Sequence, residues 1–212
     1  MNDLTRIAGH KTVGDWKEIR HELDQDFRGI EIWGKAYSFL EERLNSRYFK
    51  PIEDIKQNDD RNGEGFAIVT ILCSLIEFLE TTWSGEVYRY CKDHELNQFE
   101  YNRSKKKFIS FLTSKPPFKN IFSEDLATKF YVNVRCGLLH EAATKSNWII
   151  RVDNESIMYE LRSGENVIDR NLFEGSIKEF ITFYRSELFK SDMLKLAFIR
   201  KMNSISGLPI NY

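Results

Sequence analysis

Cysteine is too scarce in this chain to build a disulfide framework. The three present, Cys73, Cys91 and Cys136, lie in apolar or aromatic surroundings without metal-type spacing. An odd, sparse count of this kind fits a reducing, cytoplasmic setting. Net charge is nearly missing as well: 31 Lys and Arg against 32 Asp and Glu leave −1. That balance excludes a bulk attraction for polyanions, so any RNA must be held by a local patch. Proline and glycine are few, 4 and 11 in 212 residues, which argues against disorder away from the ends. The N-terminus carries no basic-then-apolar leader. The longest apolar run, residues 66–79, is interrupted by Thr70, Ser74 and Glu77. It falls short of the roughly 20 residues that a bilayer requires, which predicts a buried helix of a soluble protein and no membrane partner. His10, His21 and His94 show no zinc-type spacing. No glycine-rich phosphate loop, internal repeat or low-complexity tract occurs.

What the chain does have is aromatic and helical. It has 16 Phe and 9 Tyr, and several stretches carry apolar residues at three- and four-residue spacings. Residues 1–14 read as a flexible arm. Asp15 and Glu18 have the form of a capping box for a first helix over 15–28. After Gly29, the spacing of Ile32, Trp33, Ala36, Phe39, Leu40 and Leu44 predicts a long helix that ends before Pro51. The polar stretch 54–65, with Asn58-Asp59-Asp60-Arg61-Asn62-Gly63, reads as a loop. Residues 65–84 form the most apolar helix, at the centre of a bundle, and 104–113 a shorter one stopped by Pro116-Pro117. The period then shortens: 148–152 and 156–161, separated by Asp153-Asn154-Glu155, read as a hairpin, and Ser163-Gly164 turns the chain into a third short strand at Val167-Ile168. Asn171 is expected to cap a further helix, and Ser191 a last one to about Met202. The sequence thus predicts a mainly α fold, a helical bundle with a small antiparallel β-hairpin or meander insert near 148–168. The single domain would span 15–203, followed by a tail over 204–212.

One stretch of the bundle carries chemistry-bearing side chains. Ser123 is placed to cap a helix whose first turn holds Glu124 and Asp125. Leu126, Phe130, Val134 and Leu138 recur at every fourth position and form an apolar stripe. Asn133, Gly137, His140 and Thr144 share a polar or small face. Arg135 stands five residues before His140, so on an ideal helix the two diverge by roughly 140° and lie roughly 7.5 Å apart along the axis. One face cannot present both, whereas a groove between two copies can, with Gly137 allowing close approach and Leu138 and Leu139 supplying apolar contact.

Arg135-Cys136-Gly137-Leu138-Leu139-His140 resembles the Arg-x4-6-His motif of the HEPN superfamily, small all-helical proteins of which many are RNases. The likeness extends at the level of pattern over residues 16–203. Cys136 stands where the family often carries a polar residue, commonly Asn. The resemblance implies a helical bundle of the HEPN type, a homodimer with a shared cleft, and Arg135 and His140 as catalytic residues. It implies RNA as substrate, and a role in phage defence or as a toxin with a neutralising or regulatory partner protein.

The chemistry of the two side chains agrees with that expectation. An imidazole, with an unperturbed pKa of roughly 6.5, can take and give a proton near neutrality. RNA cleavage by its own 2′-hydroxyl needs a base for that hydroxyl and an acid for the leaving 5′ oxygen. It also needs fixed positive charge against the phosphorane, which a forked guanidinium supplies. The predicted reaction is a metal-independent transesterification leaving a 2′,3′-cyclic phosphate, without cofactor. Glu77 or Glu80 would hold Arg135 by a bidentate pair, and Asn133 would donate to phosphate. Arg103, Lys105, Lys106 and Lys107, the densest basic run, would steer RNA. Two alternatives compete: a non-catalytic HEPN-like module that binds RNA, a nucleotide or a protein, and a metal-dependent hydrolase using Glu77, Glu80 and His140. Cys136, one turn before His140, reads as a packed thiol rather than a nucleophile.

Overall fold

The apolar stripes become helices, and the computed structural model describes residues 1–58, 60, 63–152, 155–161 and 163–210. A ribbon of β1 (Arg6–Ala8) and β2 (Lys11–Thr12) leads into α1 (Val13–Gln25) and α2 (Ile30–Leu44). A π turn over Asn45–Phe49 joins α2 to α3 (Lys50–Gln57), and α4 (Glu64–Ser84) follows. Strands β3 (Val87–Tyr88) and β4 (Glu100–Tyr101) precede α5 (Ser104–Ser114) and α6 (Glu124–Phe130). A second π turn, Tyr131–Arg135, runs into α7 (Cys136–Glu141). Then come β5 (Trp148–Arg151), β6 (Met158–Glu160), β7 (Asn166–Asp169), α8 (Arg170–Lys190) and α9 (Asp192–Ser206). The fold is mainly α-helical, as the periodicity predicts.

Several expectations are corrected. Residues 6–12 are not a structureless arm, because Ile7 and Ala8 are buried. The first capping box is Thr12 with Asp15, not Asp15 with Glu18: Asp15 N–H donates to Thr12 Oγ1 and Thr12 N–H to Asp15 Oδ2. Helical structure also continues past Pro51. The π turn before it, in which the Lys50 N–H reaches back to the Asn45 carbonyl, widens the helix just where a proline ring would crowd the preceding turn. Asp169, rather than Asn171, caps α8, its Oδ1 accepting from the Asn171 and Leu172 amides at 2.9 Å each. The β insert is not a meander. β7 lies between β5 and β6, parallel to β5 and antiparallel to β6. The strand with the buried Val167 and Ile168 takes the centre, and the hairpin is β6–β7, turned at Gly164 with φ 83°. Asp59, Arg61, Asn62, Asp153 and Asn154 of the two expected connections lie outside the described residues.

The chain forms two compact units. Unit 1 comprises residues 1–54, 81–102 and 184–212. Its hub is Trp16, whose ring meets Phe39 and Phe198 edge-on at 5.6 and 6.1 Å and whose Nε1 donates to Asn203 Oδ1 at 3.0 Å. Unit 2 comprises residues 55–80 and 103–183. Phe130 is its aromatic centre, in contact with Phe108, Phe122, Trp148 and Phe173 at centroid distances of 5.5–5.9 Å. Residues 64–80 of α4 belong to this unit, with Ile68, Val69, Leu72, Leu75 and Ile76 fully buried. By length and composition the 21-residue α4 is long and apolar enough to cross a membrane, and 56% of its most apolar window is buried.

Candidate functional site

The segment 123–145 lies wholly in unit 2. Ser123 caps α6 as expected, its Oγ accepting from the Leu126 amide at 3.2 Å, with Glu124 and Asp125 in the first turn. Phe130, Val134 and Leu138 are buried while Leu126 is half-buried. The stripe therefore anchors the segment, and the π turn at Tyr131–Arg135 shifts its phase where Arg135 leaves the core.

Helix α7 stops at Glu141, because Ala142 adopts a left-handed conformation with φ 53°. Thr144 is therefore not on the helical face assigned to it; its Oγ1 donates to the Trp148 carbonyl at 2.6 Å. Residues 143–145 fold back over the helix. The Lys145 amide donates to the Asn133 carbonyl at 2.9 Å, and a Cβ on Gly137 would stand 2.5 Å from the Ala143 carbonyl oxygen. Gly137 thus permits a close approach of its own chain. Leu138, 7% exposed, completes the core, whereas Leu139 at 55% and Val132 at 44% face solvent.

Arg135 is half-buried. Its guanidinium carbon lies 5.3 Å from the centre of the Tyr131 ring, a cation–π distance. Tyr131 is held in turn by an edge-on contact with Phe108 at 5.2 Å. Burial pushes the Tyr131 hydroxyl up, Arg135 pulls it down, and the Cys136 thiol, its hydrogen-bond partner, and Glu77 push it up again. Burial likewise raises the Cys73 thiol, with Arg135 opposing and Cys136 adding to the shift. Arg135, Tyr131, Cys136, Cys73 and Glu77 therefore form one electrostatic neighbourhood.

Among the described residues, no ion pair joins Arg135 to Glu77 or Glu80. Glu80 is 5% exposed and committed elsewhere, its Oε1 accepting from Ser110 Oγ at 2.7 Å and its Oε2 facing Lys115 Nζ at 3.5 Å. His140 is exposed in the last turn of α7 and has no hydrogen-bond or ion-pair partner among the described residues. Asn133 is half-buried on the π turn. Among the described residues no three His, Cys, Asp or Glu side chains are grouped to hold a metal ion, so Glu77, Glu80 and His140 do not make a donor set.

The basic run surrounds the start of α5. Arg103, Lys105 and Lys106 are exposed and Lys107 is half-buried. No acid occupies this first turn, where the helix dipole favours negative charge. Tyr131 is the residue that sequence reasoning missed. Its spacing four residues before Arg135 was the available signal, since such pairs are neighbours on a helix surface. Compared with known proteins, the chain matches no family model, no curated protein and no solved structure.

Proposed function

We propose that this protein is a metal-independent endoribonuclease of the HEPN type, with Arg135 and His140 as its catalytic pair. What supports the reading is the setting of the two polar groups: the half-buried Arg135 guanidinium rests on Tyr131, and the His140 imidazole is exposed with no hydrogen-bond or ion-pair partner among the described residues. His140 then serves as base to the 2′-hydroxyl and acid to the 5′ oxygen, leaving a 2′,3′-cyclic phosphate. Arg135, held in orientation by Tyr131, stabilises the phosphorane with two parallel N–H donors. Asn133 is a supporting phosphate donor. Lys105 and Lys106, with Arg103 and Lys107, steer the RNA backbone.

Five residues apart, the two catalytic side chains diverge by roughly 140° on an ideal helix, so the working enzyme in this reading is a homodimer. A two-fold axis sets each copy of the segment 131–141 against its counterpart, with the exposed Val132 and Leu139 as apolar contacts. A cytoplasmic role in phage defence or as a toxin, with a neutralising or regulatory partner protein, belongs to the same proposal. Incubation with RNA in excess chelator tests it. Cleavage with cyclic-phosphate ends is the expected result. Binding without cleavage would assign the chain to a non-catalytic RNA-binding module, and silence rescued by a divalent ion would assign it to metal-dependent hydrolysis.

A further inference from the structure

A cleft of about 400 Å³ opens in unit 2 between the head of α4 and β5, where residues 63–66 and 149–152 border it. It is distinct from the residues assigned to RNA cleavage. Strand β5 is the outer strand of its sheet. Side chains on a strand alternate between its two faces, so consecutive residues of β5 border one cleft because the cleft runs along the edge of the strand.

The register shows what that edge offers. Trp148 lies against Asn166 and Ile150 against Ile168, and the Asn166 amide donates to the Asn147 carbonyl at 2.9 Å. In this parallel ladder Ile149 and Arg151 direct their peptide groups to β7, whereas Trp148 and Ile150 direct theirs outward. The outward groups of Trp148 are taken. Its N–H donates to the Lys145 carbonyl at 3.2 Å, and its carbonyl accepts from Thr144 Oγ1 at 2.6 Å. The N–H and C=O of Ile150 have no partner among the described residues, and an unpaired strand edge is a template for another strand.

The two faces beside the edge differ in chemistry. Gly65 lets the head of α4 approach one of them, since a Cβ there would lie 3.1 Å from Ile150 Cγ2. Phe66, 40% exposed, stands on the same wall of the cleft. Arg151 leaves β5 on the opposite face; it is exposed and in no ion pair among the described residues.

We propose that the outer edge of β5 takes up an extended peptide of alternating apolar and acidic residues as an added strand. Its backbone pairs with the Ile150 N–H and C=O, as in other cases of strand addition. The residue set against Ile150 is apolar and packs toward Phe66, and the next one, on the other face, is the acid that meets Arg151. The alternation of the peptide thus follows from the two faces of β5, and its charge from the unpaired Arg151.

Titration calorimetry on the full chain with a capped Val-Glu-Val-Glu-Val peptide tests the assignment, with Val-Lys-Val-Lys-Val as the control. The acidic peptide should bind, and the basic one about fivefold more weakly. Only alternate amides of an added strand point at β5. N-methylation of either the Val set or the Glu set should therefore weaken binding about tenfold or more, and N-methylation of the other set should leave it unchanged. Ile150→Pro removes the outward donor where a strand tolerates proline, and should weaken the acidic peptide about fivefold. Arg151→Glu should reverse the preference between the two peptides. His140→Ala should bind as the parent does, which separates this edge from the cleavage reaction whatever that assay gives. Absence of binding at millimolar peptide would overturn the proposal, as would equal tolerance of both methylated sets or an unchanged preference in Arg151→Glu. A parent dimer that Ile150→Pro converts to monomer would assign the edge to a second copy and overturn it too.

Discussion

Two sets of polar side chains in unit 2 are treated in opposite ways. Glu174, with a side chain 4% exposed, receives Lys56 Nζ and Lys178 Nζ at 2.6 Å each. Glu80 is similarly enclosed by Ser110 and Lys115. In both, a buried carboxylate is matched by cations and donors, as the cost of desolvating a lone charge requires. Arg135 and His140 are in no ion pair with an acid among the described residues. One rests on an aromatic ring and the other is solvated. The buried carboxylates are paired inside the fold, whereas the two groups of the proposed catalytic pair are not.

That contrast predicts opposite outcomes for substitutions at the two places. His140→Ala should lower cleavage by roughly 100- to 10,000-fold, the usual worth of a positioned proton-transfer group, while the melting temperature stays within error of the parent. Wild-type turnover in this variant would remove His140 from the mechanism. Arg135→Lys keeps the charge and loses the planar fork, so the rate should drop at least about tenfold. A lysine variant that cuts as fast as the parent would show that a point charge suffices.

At the paired carboxylate the effect should appear in stability instead. Glu174→Ala leaves Lys56 and Lys178 without their acid; both are partly solvated, so the loss should be roughly 1–3 kcal/mol in denaturant unfolding. Cleavage per folded molecule should be unchanged. Gly137→Ala should also act on stability, by about 1–3 kcal/mol, because its Cβ presses on the Ala143 carbonyl. If that variant unfolded like the parent but failed to dimerise, the glycine would serve a second copy after all.

The smallest effect concerns pH. Burial pushes the Glu174 carboxyl up, but hydrogen bonds from Lys178 and Lys56 outweigh it and hold the group below the usual glutamate value. A depressed carboxyl contributes stability above its unfolded value and loses it as pH falls through the folded one. Acidification below the ordinary glutamate range should therefore cost the parent more stability than Glu174→Gln. Parallel stability curves for the two proteins would refute this linkage.

Local features of the fold were legible where the physics is local. The apolar run led to α4 within one residue of its start, and Ser123 and Ser191 cap their helices as their positions suggested. The π turns were not legible, since one widened turn leaves no periodic trace and Pro51 looked like a stop. The strand order was hidden for another reason: β5 and β7 pair across the intervening β6, and sequence neighbours favour a hairpin. At the candidate site, the buried Phe130, Val134 and Leu138 followed from spacing. The cover over Gly137 depends on a chain reversal at Ala142, a non-glycine residue that gives no warning of a left-handed conformation. The commitment of Glu80 to Lys115 depends on a contact 35 residues away.

In the proposed enzyme, Arg135 and His140 act on one phosphate only when two copies meet. Sedimentation and RNA cleavage measured together across one dilution series test it most directly. Specific activity should fall in step with the fraction of dimer. A protein that sediments as a monomer and still cuts RNA at full specific activity would contradict the account.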